Sequence, residues 1–258
     1  MPVADINHTS IHYRTDGERH LPCLVFSNSL GTDLGMWDAQ AAALVSRFHV
    51  LRYDTRGHGR SASPPGPYTL EQLGGDVLAL LDHLDIERAH FCGLSMGGVT
   101  GQWLGVHAPR RLIKLVLANT AARVGTAEGW QSRAAAVRAH GLGGIADGAA
   151  SRWFGAGFAE REAPTVARMT DALRAQDPAG YAACCEALAA ADMRGALHAV
   201  PAPTLIIAGS LDPVTTVADA EAMRAEIGDS RVATLPASHI SNVESPARFT
   251  RALLDFLA

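Results

Sequence analysis

Ser95 stands in the pentapeptide Gly93-Leu94-Ser95-Met96-Gly97, a G-x-S-x-G spacing that can present a hydroxyl as a nucleophile. The apolar run Ala89-His90-Phe91-Cys92 precedes it. Val99, Trp103, Leu104 and Val106 follow at helical spacing before the breaker pair Ala108-Pro109. Strand, sharp turn and helix would lift the hydroxyl to the edge of a sheet. A serine attacks only when an imidazole takes its proton, and that imidazole needs a carboxylate to fix its tautomer. Both are found downstream. Residues 203–209 read as a buried strand that ends in the turn Ser210-Leu211-Asp212-Pro213. Residues 232–235 form a second run that leads through Pro236-Ala237-Ser238 to His239. Ser95, Asp212 and His239 therefore each follow a strand end, where open parallel sheets place their sites. Asp-Pro is also an ordinary turn starter. Of the other histidines, His8, His12, His20, His83, His107, His140 and His198 read as surface or core residues. His239 is singled out by its place after the last strand.

Acyl transfer also requires two backbone N–H groups aimed at the oxygen that becomes negative. One comes from the residue after the nucleophile, Met96. The other belongs on an early strand-to-helix loop, and Asn28-Ser29-Leu30-Gly31 follows the strand run Leu24-Val25-Phe26. Leu30 is the expected second donor, with Gly31 allowing close backbone approach.

The elements that must position these groups follow from the apolar runs. Residues 3–7 and 8–14 suggest an opening hairpin, followed by strands near 23–26, 49–53, 89–92 and 112–117. Helical stretches alternate with these strands, which implies a mostly parallel eight-stranded α/β sheet with helices on both faces. From residue 122 to 199 the strand signals vanish. That segment is rich in Ala and Arg, with helical spacing at Ala134, Val137 and Arg138 and at Val166, Met169 and Leu173. It reads as an all-helical cap inserted between strands six and seven, over a core of residues 1–121 and 200–258. The segment from Asp54 to Ser61 lacks the Lys and glycine spacing of a phosphate loop, and reads as a turn whose charges pair internally.

At 258 residues and 48% apolar content, the chain can bury one large core. A net charge of −4 without a basic cluster argues against a nucleic-acid surface. No stretch nears the roughly 18 consecutive apolar residues of a membrane span. Met1-Pro2-Val3-Ala4-Asp5 carries neither the basic nor the apolar region of a secretory signal. Cys23, Cys92, Cys184 and Cys185 show no zinc spacing and no disulfide framework, so a cytoplasmic location is expected. The chemistry of these residues calls for no metal and no organic cofactor.

Four stretches together carry a resemblance. They are Asn28-Ser29-Leu30-Gly31-Thr32-Asp33 with Met36-Trp37-Asp38, and Gly93-Leu94-Ser95-Met96-Gly97-Gly98 with Gly101-Gln102-Trp103-Leu104-Gly105. Leu117-Ala118-Asn119-Thr120-Ala121-Ala122 and Ala237-Ser238-His239-Ile240-Ser241-Asn242 complete the set. The chain resembles the α/β-hydrolase superfamily and, within it, the 3-oxoadipate enol-lactonase branch. The elbow and the Asp-to-His segments are common to many hydrolases. The Asn-Ser-Leu-Gly loop and the Leu-Ala-Asn-Thr-Ala-Ala stretch point to the branch.

The resemblance implies a small five-membered enol lactone with an acetate arm as substrate, part of the β-ketoadipate route of aromatic catabolism. Such an anion needs a local cation. Arg133, beside Trp130 at the start of the cap, is the candidate, with Trp153-Phe154 as a second aromatic pair. A solvated helix face for Arg133 and plain packing for Trp130 are the competing assignments. The same triad also serves general carboxylesterases and hydrolases of carbon–carbon bonds in ring-cleavage products. A ligand receptor without turnover would retain it too.

Overall fold

The computed structural model of the protein describes residues 2–258. Among them, eight strands form one sheet. They are β1 (Val3–Ile6), β2 (Thr9–Asp16), β3 (Cys23–Ser27), β4 (His49–Tyr53), β5 (Ala89–Leu94), β6 (Leu112–Ala118), β7 (Thr204–Gly209) and β8 (Ser230–Leu235). Their order is β1-β2-β4-β3-β5-β6-β7-β8. β2 is antiparallel to both neighbours, and the remaining pairs are parallel. β3, β4, β5 and β7 are buried at every position, which is why β3, β5 and β7 run nearly continuously apolar instead of alternating. The opening hairpin is present. Its turn residues Asn7 and His8 have φ of 47° and 59°, as a two-residue primed turn demands.

Helices α1 (Asp38–Leu44), α2 (Leu70–His83) and α3 (Met96–His107) connect the first strands. Six more lie between β6 and β7: α4 (Ala127–His140), α5 (Gly143–Asp147), α6 (Ala149–Trp153), α7 (Ala156–Arg161), α8 (Ala163–Arg174) and α9 (Pro178–Ala190). The chain closes with α10 (Val217–Glu226), α11 (Ser241–Glu244) and α12 (Pro246–Leu257). From β3 the chain steps one way to β4, then back past β3 to β5. Right-handed crossovers therefore put α1 on one face of the sheet and α2, α3 and α10 on the other. α12 packs on the α1 side. The reversal opens a crevice at the carboxyl ends of β3 and β5, the place where such sheets hold ligands.

α2 shows how local signals fix this frame. Thr69 and Gln72 cap its start reciprocally, satisfying two N–H groups that the first turn leaves free. Its inner face buries Leu73, Val77, Leu80 and Leu81. Burying each of these contributes about 1.5–3 kcal/mol before the entropy of ordering is counted. Gly74 lets α2 press against Trp103 of α3, since a Cβ there would overlap the indole.

The helical insertion between the sixth and seventh strands is present as expected. The two spacings read from the sequence are α4, which buries Ala134 and Val137, and α8, which buries Val166, Met169 and Leu173. Arg138 faces outward and grips Glu186 of α9 through two bonds of 2.6 and 2.7 Å. One expectation fails. The charges of the Asp54–Ser61 turn do not pair with each other. Arg56 pairs with Asp76 of α2 at 2.5 and 2.6 Å, and Asp54 with His12 of β2 at 2.7 Å. Arg56 and Asp54 each stand beside a buried partner on a flanking element, and within the turn the Asp54 carboxylate meets only the Arg60 backbone N–H, at 2.9 Å. All four cysteines are buried and free. Among the described residues no helix is long and apolar enough to cross a membrane.

Candidate active site

β5 ends at Leu94 and α3 begins at Met96, so Ser95 alone turns the chain, with φ 56° and ψ −112°. An L-residue held there stores about 1–3 kcal/mol, and the surroundings must enforce it. Here Ser95 N–H donates to the Ala118 carbonyl at 2.9 Å, and Thr120 Oγ1 donates to the Ser95 carbonyl at 2.9 Å. The flanking glycines are required by contact. A Cβ on Gly93 would overlap the Gly97 carbonyl, and one on Gly97 would overlap the Ser27 carbonyl.

The three residues predicted to act together meet. His239 Nε2 lies 3.0 Å from Ser95 Oγ, and its Nδ1 lies 2.8 Å from Asp212 Oδ2. With the carboxylate at Nδ1, the ring carries its proton there and leaves Nε2 to accept from the serine. Burial alone would raise the Asp212 carboxyl. Hydrogen bonds from His239, Asn119 and the Val214 N–H, together with the His239 charge, outweigh burial and hold it below the ordinary carboxylate value. Oδ1 accepts from Val214 N and Thr215 N at 2.7 and 3.1 Å. Oδ2 also accepts from Asn119 Nδ2 at 3.0 Å and Thr215 Oγ1 at 2.8 Å. The loop bearing His239 is clamped on both sides. Ser238 N–H donates to Glu244 at 2.7 Å, and Ile240 N–H donates to the Trp153 carbonyl at 3.0 Å.

Asn119 and Thr215 were not identified from the sequence as site residues. The Asp212-Pro213-Val214-Thr215 spacing, an Asx turn closed by its own carboxylate, is the signal that could have found Thr215.

Leu30 N–H and Met96 N–H find no acceptor among the described residues. Leu30 lines the crevice together with Ser95, and Met96 follows the serine directly in the chain. The Leu30 loop is anchored by Asn28, whose side chain donates to the Tyr53 carbonyl at 2.8 Å and accepts from Trp37 Nε1 at 3.0 Å.

A cavity of about 230 Å³ lies over these groups. Ser29, Leu30, Ser95, Val214 and His239 form its floor, while Trp130, Arg133, Arg152 and Trp153 of the insertion form its roof. Trp130 and Arg133 are thus both at the pocket. Trp130 Nε1 donates to the Val124 carbonyl at 2.6 Å, and the Arg133 guanidinium sits 4.7 Å from the centre of its ring. Arg152 was not foreseen. It donates to the Ile145 carbonyl at 2.8 Å, and burial followed by the like charge of Arg133 pulls its pKa below the usual value. Among the described residues neither arginine has a carboxylate within ion-pair distance. Two cationic side chains thus line one small cavity without a carboxylate partner. Its sequence signal, one Arg in the short run Ala149-Ala150-Ser151-Arg152-Trp153, carries no periodicity that would mark it.

Residues 22–246 match the family model described as the alpha/beta hydrolase fold. The chain belongs to the α/β-hydrolase family. Within the α/β hydrolases it is 51% identical to 3-oxoadipate enol-lactonase 2 of Acinetobacter baylyi, over 98% of this chain and 97% of that one. It is 46% identical to 3-oxoadipate enol-lactonase 1 of the same organism, over 96% and 93% of the two chains. Among solved α/β hydrolases, the enol-lactonase from Burkholderia xenovorans LB400 superposes with a TM-score of 0.97 at 49% identity, covering 99% of each chain.

Proposed function

We propose that this hydrolase opens 3-oxoadipate enol-lactone to 3-oxoadipate through an acyl-enzyme on Ser95, in the β-ketoadipate route of aromatic catabolism. The observation that carries the reading is the joining of two features in one cavity. A Ser95–His239–Asp212 relay forms its floor, and an unpaired pair of arginines forms its roof. Likeness over nearly the full length to two enol-lactonases supports the same substrate.

In this mechanism His239 takes the Ser95 proton as Oγ attacks the lactone carbonyl. Asp212 holds the imidazole in its tautomer and stabilises the imidazolium. The N–H groups of Leu30 and Met96 receive the oxyanion. Collapse breaks the acyl–oxygen bond of the ring, and the proton on His239 passes to the departing enol oxygen. The enol tautomerises to the ketone. Water, losing its proton to His239, then attacks the acyl group. Collapse returns the proton to Ser95 Oγ and frees the second carboxylate. Arg133 and Arg152 hold the carboxylate of the acetate arm, and Trp130 flanks the lactone while keeping Arg133 stacked. Residues 122–199 act as the cap over a catalytic body of residues 1–121 and 200–258. The protein works in the cytoplasm, where its four free cysteines remain thiols.

Spectrophotometric loss of the enol lactone tests the reading. Wild-type protein should turn over faster than about 1 s⁻¹, within the usual enzyme range. Ser95→Ala should keep its circular dichroism and lose roughly 10⁶-fold in kcat. A folded Ser95→Ala protein with more than a tenth of wild-type turnover would remove Ser95 from the mechanism.

A further inference from the structure

The Asp54–Ser61 turn sits between the oxyanion loop and the helical cap, and one of its side chains touches both. Leu30 offers its N–H to the oxyanion only if the two peptide planes flanking it hold their orientation. The plane before it contains the Ser29 carbonyl, which accepts from Thr32 N at 3.2 Å and Thr32 Oγ1 at 2.8 Å. The plane after it contains the Gly31 N–H, which donates to His58 Nε2 at 2.8 Å. His58 is 1% exposed, so the Gly31 N–H has no water to replace that acceptor. Nε2 accepts only from a neutral ring with its proton on Nδ1, and Nδ1 lies 3.4 Å from the Arg56 carbonyl. Burial supports this state by pushing the His58 pKa down to about 4.

The cap meets the same residues. Cys184 Sγ of α9 lies 3.8 Å from His58 Nδ1 and 3.6 Å from the Arg56 carbonyl. Gly57 and Gly180 touch backbone to backbone: a Cβ on Gly57 would stand 2.8 Å from Gly180 Cα. Gly59 N–H donates to Gln176 Oε1 at 2.7 Å. Gly31, at φ +81°, lies under Leu173 of α8 and Tyr181 of α9, which a Cβ there would meet at 2.6 and 3.2 Å.

We propose that His58 is a positioning residue that fixes the Leu30 oxyanion donor through Gly31 and ties that donor's alignment to the seating of α9. The proposal rests on the reading of Ser95 as nucleophile. It predicts a defect in the chemical step, because the ground-state substrate needs no oxyanion donor. Removing a donor outright costs about 10²–10³ in kcat, and a donor that is only loosened should cost about 10- to 100-fold.

The test compares His58→Leu, which fills the space without an acceptor, with His58→Gln, whose Oε1 reaches the place of Nε2. Steady-state kinetics on the enol lactone and the nitrophenolate burst from nitrophenyl acetate are read for both, with melting temperature as control. His58→Leu should lose about 10- to 100-fold in kcat and burst rate with KM within about twofold, and His58→Gln should recover most of that loss. Unchanged kcat in His58→Leu, a rise in KM alone, or equal losses in both variants would overturn the proposal. If His58→Leu does not fold, Thr32→Val decides. It removes one of the two bonds that hold the other peptide plane, should lower kcat severalfold at constant KM, and overturns the proposal if kcat stays at the wild-type value. A wild-type burst that persists in Ser95→Ala would instead defeat the serine reading on which this rests.

Discussion

The floor and roof of the pocket are built on opposite plans. On the floor the side chains of the relay are already paired. Asp212 accepts five hydrogen bonds, from His239, Asn119, Val214 N–H and both donors of Thr215. The roof instead carries two guanidiniums without carboxylate partners, mounted on α4 and the five-residue α6. A saturated network can hold reacting atoms in place before substrate arrives, which is what a proton relay needs. Unpaired charge has a different use. It is disfavoured in an empty site and relieved when an anion enters, so under the proposed function it would select the ligand without taking part in bond making.

Disturbing the floor should therefore cost far more than disturbing the roof. Asp212→Asn replaces one acceptor oxygen with an N–H₂ group in a place where every neighbour donates. It also favours the wrong imidazole tautomer. The expected loss is on the order of 10⁴ in kcat for the lactone and for a neutral aryl ester alike. Rates on both substrates check this, and a loss confined to the lactone would break the division between floor and roof.

The junction of the two regions should show in stability. His58 is buried neutral, with its pKa lowered from 6.5 to about 4 by burial. The unfolded chain then binds the extra proton between those values, so stability falls as pH drops through that window. The loss reaches about 3 kcal/mol by pH 4 and is absent above pH 7. His90, pushed to about 4 by burial with help from Lys114 and Arg88, acts in the same direction. Asp212 works on a lower window, since its depressed pKa contributes stability that is lost only below the ordinary carboxylate range. Urea midpoints of wild type and His58→Gln at pH 7.5 and 4.5 measure the slope. The variant should be flatter, and parallel slopes would mean that His58 is not held neutral.

The same contrast explains what the sequence disclosed. Ser95, Asp212 and His239 were legible because each lies past an apolar strand run, and chain order plus strand ends already constrains space. Gly93 and Gly97 were legible because close backbone contact leaves glycine no substitute. Leu30 could be reached only through its loop, since a backbone donor leaves no side-chain trace. Arg152 was not legible. It reaches the pocket through the packing of several short helices, and no local spacing encodes that. The turn at Asp54–Ser61 looked self-contained because it carries both an acid and arginines close in sequence, whereas the fold directs Arg56 to α2 and Asp54 to β2. His58 was missed for the same reason, as its partner Gly31 is 27 residues away.

The division of labour is tested most directly by replacing the roof's charge and comparing two substrates. Arg133→Met and Arg152→Met, alone and together, are assayed on the anionic enol lactone and on a neutral aryl acetate. Each lost charge-assisted contact should lower kcat/KM for the lactone by about 1.5–3 kcal/mol, roughly 10- to 150-fold. The aryl acetate should be hydrolysed almost as by wild type, because the floor is untouched. Equal losses on both substrates would show that the arginines hold the cap together and do not read the carboxylate. No loss on either would remove them from the site.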